Sequence, residues 1–301
     1  MENIFLKRQH CPSCHSLLFQ KIYKLDTNSN LYKNFCLNEY TGNFIYETIK
    51  DVPFELNKCK KCNLIFQNTI LSDNYTHLLY DQWTNQELAL KDHLDNGKWK
   101  FDYYDKIFKF IKLYFYDKSP NEIKVLDYGA GFGTSLLVAK RFNYDTYSYE
   151  PFEIRNTFLF NNGIKSISKG SKEQFDFIII DQVIEHTSEP DKILNELYSM
   201  LKNEGIIYLA VPNCSFTKKM IYKLKNCNNF LEFTKLFRKL SIGPYSHINF
   251  FNNSSLNYLI KNNNFKKIFP FKKLFILPLN LKDILRLFYH HFFSTVFYLK
   301  K

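Results

Sequence analysis

Between residues 120 and 275, short apolar runs alternate with stretches whose apolar residues recur every three or four positions. The runs KVLDYG, FDFIII and IIYLAVPN have the length of buried strands, and PDKILNELYSMLKNEG, between the last two, has helical spacing. Strands that alternate with helices are typical of a parallel sheet with helices on both faces. The pattern therefore predicts an α/β core over residues 120–275.

Two other patterns precede this core. Residues 1–80 contain strand-like stretches such as NFIYETI and NLIFQ together with five of the seven cysteines, and they predict a small separate module. Residues 81–119 contain aromatic and aliphatic residues at helical spacing among Lys and Asp, which predicts an amphipathic helical connector.

Three glycines follow the first core strand within five positions, in VLDYGAGFG: Gly129, Gly131 and Gly133. In an open parallel sheet, ligands bind beyond the carboxyl ends of strands. Glycine lets the backbone turn there and lets a ligand approach, and the following helix offers free N–H groups. The spacing predicts a nucleotide-like ligand. Thr134 stands where the dinucleotide fingerprint has its third glycine, so a hydride-transfer site is disfavoured.

This stretch resembles the first motif of class I S-adenosylmethionine-dependent methyltransferases, in which an acidic residue, here Asp127, precedes GxGxG. The resemblance implies a Rossmann-like core with a mostly parallel seven-stranded sheet. It also implies that the motif residues, Phe132 included, surround S-adenosylmethionine.

Downstream residues extend the resemblance. It implies that Glu150, at the end of the second core strand, binds both ribose hydroxyls, and that Asp181 and Gln182 line the methionine end. The acidic residue that meets the adenine after the third strand is missing, so we expect adenine to pack on Phe152.

Four cysteines of the first module form two knuckles, CPSC at Cys11 and Cys14 and CKKC at Cys59 and Cys62, whereas Cys36 lies outside them. Four thiolates at this spacing predict a structural zinc ion. A redox pair and cysteines without a ligand are the alternatives. The arrangement resembles the N-terminal zinc module of bacterial sugar methyltransferases, which implies a carbohydrate acceptor.

Methyl transfer to a hydroxyl requires removal of its proton, and histidine suits that role. His247 in GPYSHINFF is similar to a segment after the fifth strand of many small-molecule methyltransferases, and we expect it to be the general base, with Tyr245 orienting the substrate or sharing the proton. Its alternative role is to cap the next helix or bond a loop. His186 is the competing base.

Positive charge is concentrated late in the chain. Residues 213–301 carry 16 Lys and Arg against two acidic residues, whereas the rest is nearly neutral. The insertion 213–246 predicts a substrate lid. Five cations of this insertion are predicted either to bind a diphosphate of the substrate or to form a solvent-exposed surface without a ligand: Lys218, Lys219, Lys223, Lys225 and Arg238. In the basic aromatic segment 276–301, apolar residues recur at helical spacing from Leu281 onward. We expect this apolar stripe to pack on its own domain or to close a dimer, and contact with a membrane surface is the alternative.

These patterns predict a cytoplasmic enzyme, monomeric or homodimeric, that methylates a hydroxyl of an anionic sugar or nucleotide-sugar, a surface-glycan precursor. No secretion signal is expected, because charge and cysteine interrupt the first thirty residues. Three alternatives stay open: an RNA methyltransferase that uses the basic C-terminal third, a sugar C-methyltransferase, and a zinc-ribbon scaffold without catalysis. Nucleic acid is disfavoured because the cysteine module is not itself basic.

Overall fold

The computed structural model describes residues 4–214, 216–269 and 295–301. These residues form two compact units. The first unit lies within Met1–Gln86, Ile184–Asp191 and Pro212–Leu259, and the second within Glu87–Val183, Lys192–Val211 and Ile260–Lys301. Each unit is therefore assembled from three separate stretches of chain.

The strands and helices follow one another in an α/β pattern. The strands are β1 Phe5–Lys7, β2 Phe19–Leu25, β3 Phe54–Cys59, β4 Ile65–Gln67, β5 Thr69–Leu71, β6 Lys124–Tyr128, β7 Asp145–Tyr149, β8 Lys165–Ser166, β9 Phe175–Asp181, β10 Leu201–Ala210, β11 Asn249–Phe250, β12 Lys266–Ile268 and β13 Val296–Lys300. The α-helices are α1 Asn30–Glu39, α2 Gln86–Asn96, α3 Lys98–Tyr114, α4 Thr134–Arg141, α5 Glu153–Asn161, α6 Pro190–Met200, α7 Lys218–Lys225, α8 Phe230–Lys239 and α9 Asn253–Asn262. Single 3₁₀ turns span Tyr46–Thr48, Asp73–Tyr75, Pro120–Glu122 and Ile184–His186, and a π-helix spans Leu78–Trp83.

The second unit is built on a sheet with the strand order β12-β13-β10-β9-β6-β7-β8. The five strands from β6 to β10 pair in parallel, whereas β13 is antiparallel to both of its neighbours. This mostly parallel sheet confirms the predicted Rossmann-like core. Its last strand, β13, lies beyond residue 275, where the core was predicted to end. Residues 296–300 form this strand, which pairs with both β10 and β12.

The sheet is stable because both of its faces are covered. The run Phe175–Ile180 in β9 is buried at every position, as expected for a central parallel strand. On one face, Phe108 of α3 packs edge-on against Phe177, with ring centroids 5.8 Å apart. Each such buried ring contributes about 1.5–3 kcal/mol. The carboxyl ends of β6, β7 and β9 lie at the same edge of this sheet, so the loops that follow them are brought together.

The first unit contains an antiparallel sheet, β11-β4-β3-β2, and a two-stranded pair, β1-β5. Its core is aromatic: Phe35 of α1 lies 5.9 and 4.8 Å, centroid to centroid, from Phe233 and Phe237 of α8. Helix α8 lies within the predicted lid 213–246. Its apolar face is therefore part of the core of the first unit, together with residues of the cysteine module, and a lid role for the segment stays a prediction.

No helix in the described part of the chain combines the length and the apolar character needed to cross a bilayer. The predicted helical stripe from Leu281 lies outside the described residues.

Candidate functional site

The glycine stretch forms the loop between β6 and α4. Gly129, Gly131 and Gly133 have φ angles of +80, +57 and +68°, which residues with a side chain disfavour. A Cβ atom at Gly129 would lie 2.6 Å from Val183 Cγ2, and one at Gly133 would lie 2.3 Å from Leu159 Cδ2. At Gly131 no atom lies within 4 Å of that position. Packing therefore requires the outer two glycines, and Gly131 borders open space that a ligand can approach.

Glu150 follows β7 and points to this loop. Its carboxylate accepts hydrogen bonds from the N–H groups of Gly131 (2.7 Å) and Phe152 (3.3 Å). Burial raises the pKa of Glu150, while Arg155, 3.8 Å away, and the two N–H groups lower it. The Arg155 guanidinium also lies over the rings of Phe132 and Phe152, at 5.7 and 5.4 Å. The structure thus brings the predicted ribose-binding carboxylate and both predicted aromatic residues together.

Two more carboxyl groups lie at this edge of the sheet. Asp127 accepts a hydrogen bond from Ser135, and burial raises its pKa to about 7, with Asp181 and Glu150 adding to the rise. Asp181 ends β9 and accepts a hydrogen bond from Tyr104 Oη (3.0 Å), and burial raises its pKa as well. Asp127 and Glu150 are buried and Asp181 is half-buried, and the charges of Glu150 and Asp181 both act on Asp127, so the three carboxyl groups favour a ligand with positive charge. This is the electrostatic fit that a sulfonium bearing an ammonium group requires.

His186 and His247 lie side by side in the first unit, with ring centroids 4.5 Å apart and ring planes at 83°. His186 Nδ1 lies 2.8 Å from the carbonyl oxygen of Ser246, and His247 Nδ1 lies 2.9 Å from that of Ser241. Because a carbonyl oxygen only accepts, the hydrogen is assigned to Nδ1 of each ring, which leaves Nε2 of a neutral His247 as an acceptor. Burial lowers the pKa of His247, which favours the neutral ring.

Glu185 lies beside this histidine pair. Its side chain is 2% exposed, and its Oε1 lies 3.9 Å from His186 Nε2. Its carboxylate and the two imidazoles place nitrogen and oxygen atoms within 4.8 Å of one another, so a positive charge on either imidazole is close to the carboxylate. Asn252, not His247, caps α9, since its Oδ1 accepts from Ser255 N at 2.9 Å.

Tyr245 occupies a different environment from the one predicted for it. It is 3% exposed, and its ring packs against Phe5 and Trp83 at centroid distances of 5.4 and 6.4 Å. Burial raises the pKa of its phenol. Its N–H donates to Gln67 Oε1 (3.1 Å). Tyr245 therefore packs in the aromatic core of the first unit, and a buried phenol of raised pKa is poorly suited to sharing a substrate proton.

Cys11, Cys14, Cys59 and Cys62 form a buried cluster in the first unit. The Sγ atoms of Cys11 and Cys62 lie 3.5 Å apart, as do those of Cys14 and Cys59, and all four lie within 4.8 Å of one another. A tetrahedral ion with bonds of ~2.3 Å places sulfurs roughly 3.8 Å apart. The N–H groups of Lys61 and Cys62 donate to Cys59 Sγ at 3.3 and 3.5 Å. The cluster has the donors and the spacing of a structural metal site.

The sequence profile of the family described as "Methyltransferase domain" matches residues 99–268, more than half of the chain. The chain belongs to this methyltransferase family. With the glycine loop and the three carboxyl groups of the second unit, the match identifies the protein as an S-adenosylmethionine-dependent methyltransferase.

Several solved structures are similar to this methyltransferase. The plantazolicin methyltransferase BpumL, in complex with SAH, is 17% identical; the match covers 70% of this chain and 86% of that chain, with a TM-score of 0.46. An S-adenosylmethionine-dependent methyltransferase from Clostridium acetobutylicum is 13% identical over 47% of this chain and 60% of that chain (TM-score 0.35). A possible histamine N-methyltransferase from Thermotoga maritima is 19% identical over 48% and 64% (TM-score 0.35). No curated protein matches the chain in sequence.

The predicted site residues of the methyltransferase divide between its two units. The second unit contains every predicted cofactor residue, including Gln182, which has a φ of +57° and whose N–H donates to Ala210 O at 2.9 Å. The first unit contains the predicted base residues and the four cysteines.

Two residues near the cofactor site were not expected from the sequence. Tyr104 of α3 donates to Asp181, and His93 of α2 places Nδ1 3.4 Å from Thr134 Oγ1 at the start of α4. The His93 ring also lies 5.3 Å from that of Phe132. The predicted connector therefore contributes to the site. The available sequence signal is weak, because a His and a Tyr on the apolar stripe of an amphipathic helix usually serve packing.

The glycine loop allows a paired prediction. We expect Gly133→Ala to lower the free energy of unfolding by about 3 kcal/mol, because the left-handed φ and the contact with Leu159 both penalise the methyl group. We expect Gly131→Ala to cost only about 1 kcal/mol but to weaken binding of S-adenosylhomocysteine at least about 10-fold, since its methyl group enters the ligand space. Urea unfolding and calorimetric titration measure both quantities. Equal destabilisation by the two variants, with unchanged affinity, contradicts the prediction.

Proposed function

We propose that this methyltransferase transfers the methyl group of S-adenosylmethionine to a hydroxyl oxygen of a sugar or nucleotide-sugar, a surface-glycan precursor. The observation that carries the proposal is the histidine pair, in which His247 bonds a carbonyl oxygen through Nδ1 and, when neutral, can accept a proton at Nε2. A hydroxyl group needs its proton removed as its oxygen attacks, and neutral imidazole is suited to this at neutral pH. An amine acceptor that is already neutral has less need of such a base.

Different residues of the chain bind the cofactor and accept the substrate proton. When bound, S-adenosylmethionine supplies an electrophilic methyl group on a positively charged sulfur. Glu150 accepts hydrogen bonds from the ribose hydroxyls, and Asp181 binds the methionine ammonium group. His247 accepts the hydroxyl proton at Nε2, and the Glu185 carboxylate stabilises the resulting positive charge.

Two features support an anionic sugar as the acceptor. The paired CxxC knuckles resemble the N-terminal module of bacterial sugar methyltransferases. Helices α7 and α8 expose all their cations to solvent, with Glu232 as the one acidic residue among them: Lys218, Lys219, Lys223, Lys225, Lys235, Arg238 and Lys239. Diphosphate groups bind such lysine-rich surfaces.

The test uses labelled methyl groups. Protein and methyl-labelled S-adenosylmethionine are added to extract of the source organism, and the products are separated into small metabolites, lipid, RNA and protein. We expect label in the anionic small-metabolite fraction, and we expect His247→Asn and His186→Asn to lower its rate of formation about 10²- to 10⁴-fold. Asparagine retains an N–H that can bond the same carbonyl oxygens, so the loops stay folded.

His77→Asn is the matched control, because exposed His77 also bonds a carbonyl oxygen, Asn74 O, through Nδ1 at 2.8 Å. A base works only while neutral. Because burial holds the pKa of His247 below 6.5, we expect the rate to fall only as the pH drops below about 6.5. Label in RNA overturns the acceptor class, and full rates in both site variants overturn the base assignment.

We also propose that the four-cysteine cluster binds one structural Zn²⁺. The support is the all-thiol donor set, its burial and the near-tetrahedral sulfur spacing, which suit Zn²⁺ better than the oxygen-preferring ions. The ion's part is to hold the turn 11–14 against the turn 59–62.

A further inference from the structure

Arg8 is a buried cation placed three residues before Cys11 in the first unit; it is 7% exposed. Every hydrogen bond that its guanidinium makes among the described residues goes to an uncharged oxygen. These acceptors are the carbonyl oxygens of Gln67, Thr187, Ser188 and Ile248 and the side-chain Oδ1 of Asn249. Burial of a guanidinium that bonds no carboxylate among the described residues lowers the stability of the fold. This cost indicates that Arg8 has a role other than stability.

Two of these acceptors belong to residues adjacent to the histidine pair. Arg8 Nη2 donates to the carbonyl oxygen of Thr187 at 3.5 Å, and Thr187 follows His186. Arg8 Nη1 donates to that of Ile248 at 3.1 Å, and Ile248 follows His247. One rigid planar group therefore holds the backbone next to both imidazoles.

Asn249 extends this network and is itself 1% exposed. Its Oδ1 accepts from Arg8 Nη1 at 3.0 Å, and its Nδ2 donates to the carbonyl oxygens of Ile184 and Thr187 at 2.9 and 2.7 Å. The turn that carries His186 is thus bonded to the strand that follows His247, with Arg8 bridging the two.

We infer that Arg8 is a positioning residue for the histidine pair. The inference rests on the proposed function, because it assumes that the histidine pair acts on the acceptor. Arg8 acts through the backbone: it fixes the carbonyl groups beside each histidine, and these fix the loops in which the two Nδ1–H groups find their partners. The cysteine module thereby contributes to methyl transfer through a residue that lies next to its first knuckle.

The test replaces the planar fork by a single ammonium group in Arg8→Lys, which cannot reach both carbonyl groups at once. ¹⁵N NMR of histidine-labelled protein at neutral pH reports which ring nitrogen carries the hydrogen. We expect His186 and His247 to show Nδ1–H in the wild type and a mixture with the commoner Nε2–H form in the variant. We expect kcat on the labelled acceptor fraction to fall about 100-fold, with unchanged affinity for S-adenosylhomocysteine.

A second comparison separates positioning from general stability. If Arg8 acts through the histidines, Arg8→Lys causes no further loss of rate when it is added to the double variant His186→Asn/His247→Asn. Asn249→Asp retains the acceptor for Arg8 but loses both donors, and we expect the same change in the NMR signals, so the inference can be tested even if Arg8→Lys folds poorly. Arg141→Lys, on the exposed end of α4, is the matched control and keeps the signals and kcat.

Unchanged tautomer signals in Arg8→Lys and Asn249→Asp overturn the inference. A further loss of rate when Arg8→Lys is added to His186→Asn/His247→Asn overturns it too, because that loss indicates a structural effect alone. If instead His247→Asn retains its turnover, the proposed base is wrong, while the NMR signals still report whether Arg8 orients the two rings.

Discussion

We expect Cys59→Ser to abolish binding of the proposed zinc ion and to unfold the first unit at a temperature at which the wild type is fully folded. The reason is that serine can accept the N–H groups of Lys61 and Cys62 but is a poor zinc ligand, so three thiols remain at a site built for four. Because metal binding is part of the folding free energy, we expect a loss of more than about 4 kcal/mol. For a unit of this size that lowers Tm by roughly 10 °C or more.

Atomic emission on purified protein and a thermal scan followed by circular dichroism measure the two effects. We expect one zinc per wild-type chain and less than a tenth of that in the variant. Cys227→Ser is the matched control, because Cys227 lies outside the cluster with its Sγ 3.3 Å from Asn229 O. A wild-type protein that is purified without metal and keeps its Tm in the presence of a chelator rules out the zinc proposal.

Glu150→Ala abolishes measurable cofactor binding at concentrations that saturate the wild type. We expect the Glu150 carboxylate, which follows β7, to accept hydrogen bonds from both ribose hydroxyls, and it also accepts one from Gly131 N–H in the glycine loop. Two charge-assisted hydrogen bonds of about 1.5–3 kcal/mol each predict a loss of roughly 10²- to 10⁴-fold in affinity for S-adenosylhomocysteine. Isothermal titration calorimetry measures this loss.

Glu153→Ala is the control, because Glu153 lies three residues further on, exposed at the start of α5. A 2′,3′-dideoxy analogue of S-adenosylhomocysteine separates the two roles of Glu150. We expect Glu150→Gln to weaken the natural ligand much more than the analogue, since only the natural ligand has the hydroxyls. If both ligands lose affinity equally, Glu150 supports the loop and does not bind ribose.

The cofactor site was predictable from the sequence because its parts are local to strand ends. A parallel sheet brings the carboxyl ends of its strands to one edge, so an acidic residue and glycines placed just after apolar runs converge without further information. Asp127, Glu150 and Asp181 meet in the structure for this reason. The two cysteine knuckles were predictable for a similar reason, because CxxC places two sulfurs on one turn.

The sequence did not predict which polar side chains would be buried or what they would contact. Tyr245 was expected at the substrate, and the structure packs it among aromatic residues. Tyr104 and His93 were expected to be ordinary positions of a connector helix, and they contact Asp181 and Thr134. Burial depends on neighbours that are distant in the chain, and no local pattern contains that information.

By itself, the sequence determined the α/β core, the glycine loop, the acidic residues at its strand ends and the four thiols, since each depends on spacing of a few residues. Only the tertiary structure decided that β13 from the end of the chain completes the sheet, that the insertion packs in the first unit, and that Arg8 bonds carbonyl groups up to 240 residues away. Backbone carbonyl groups are present at every residue, so a side chain that binds them leaves no mark in the sequence of its partners.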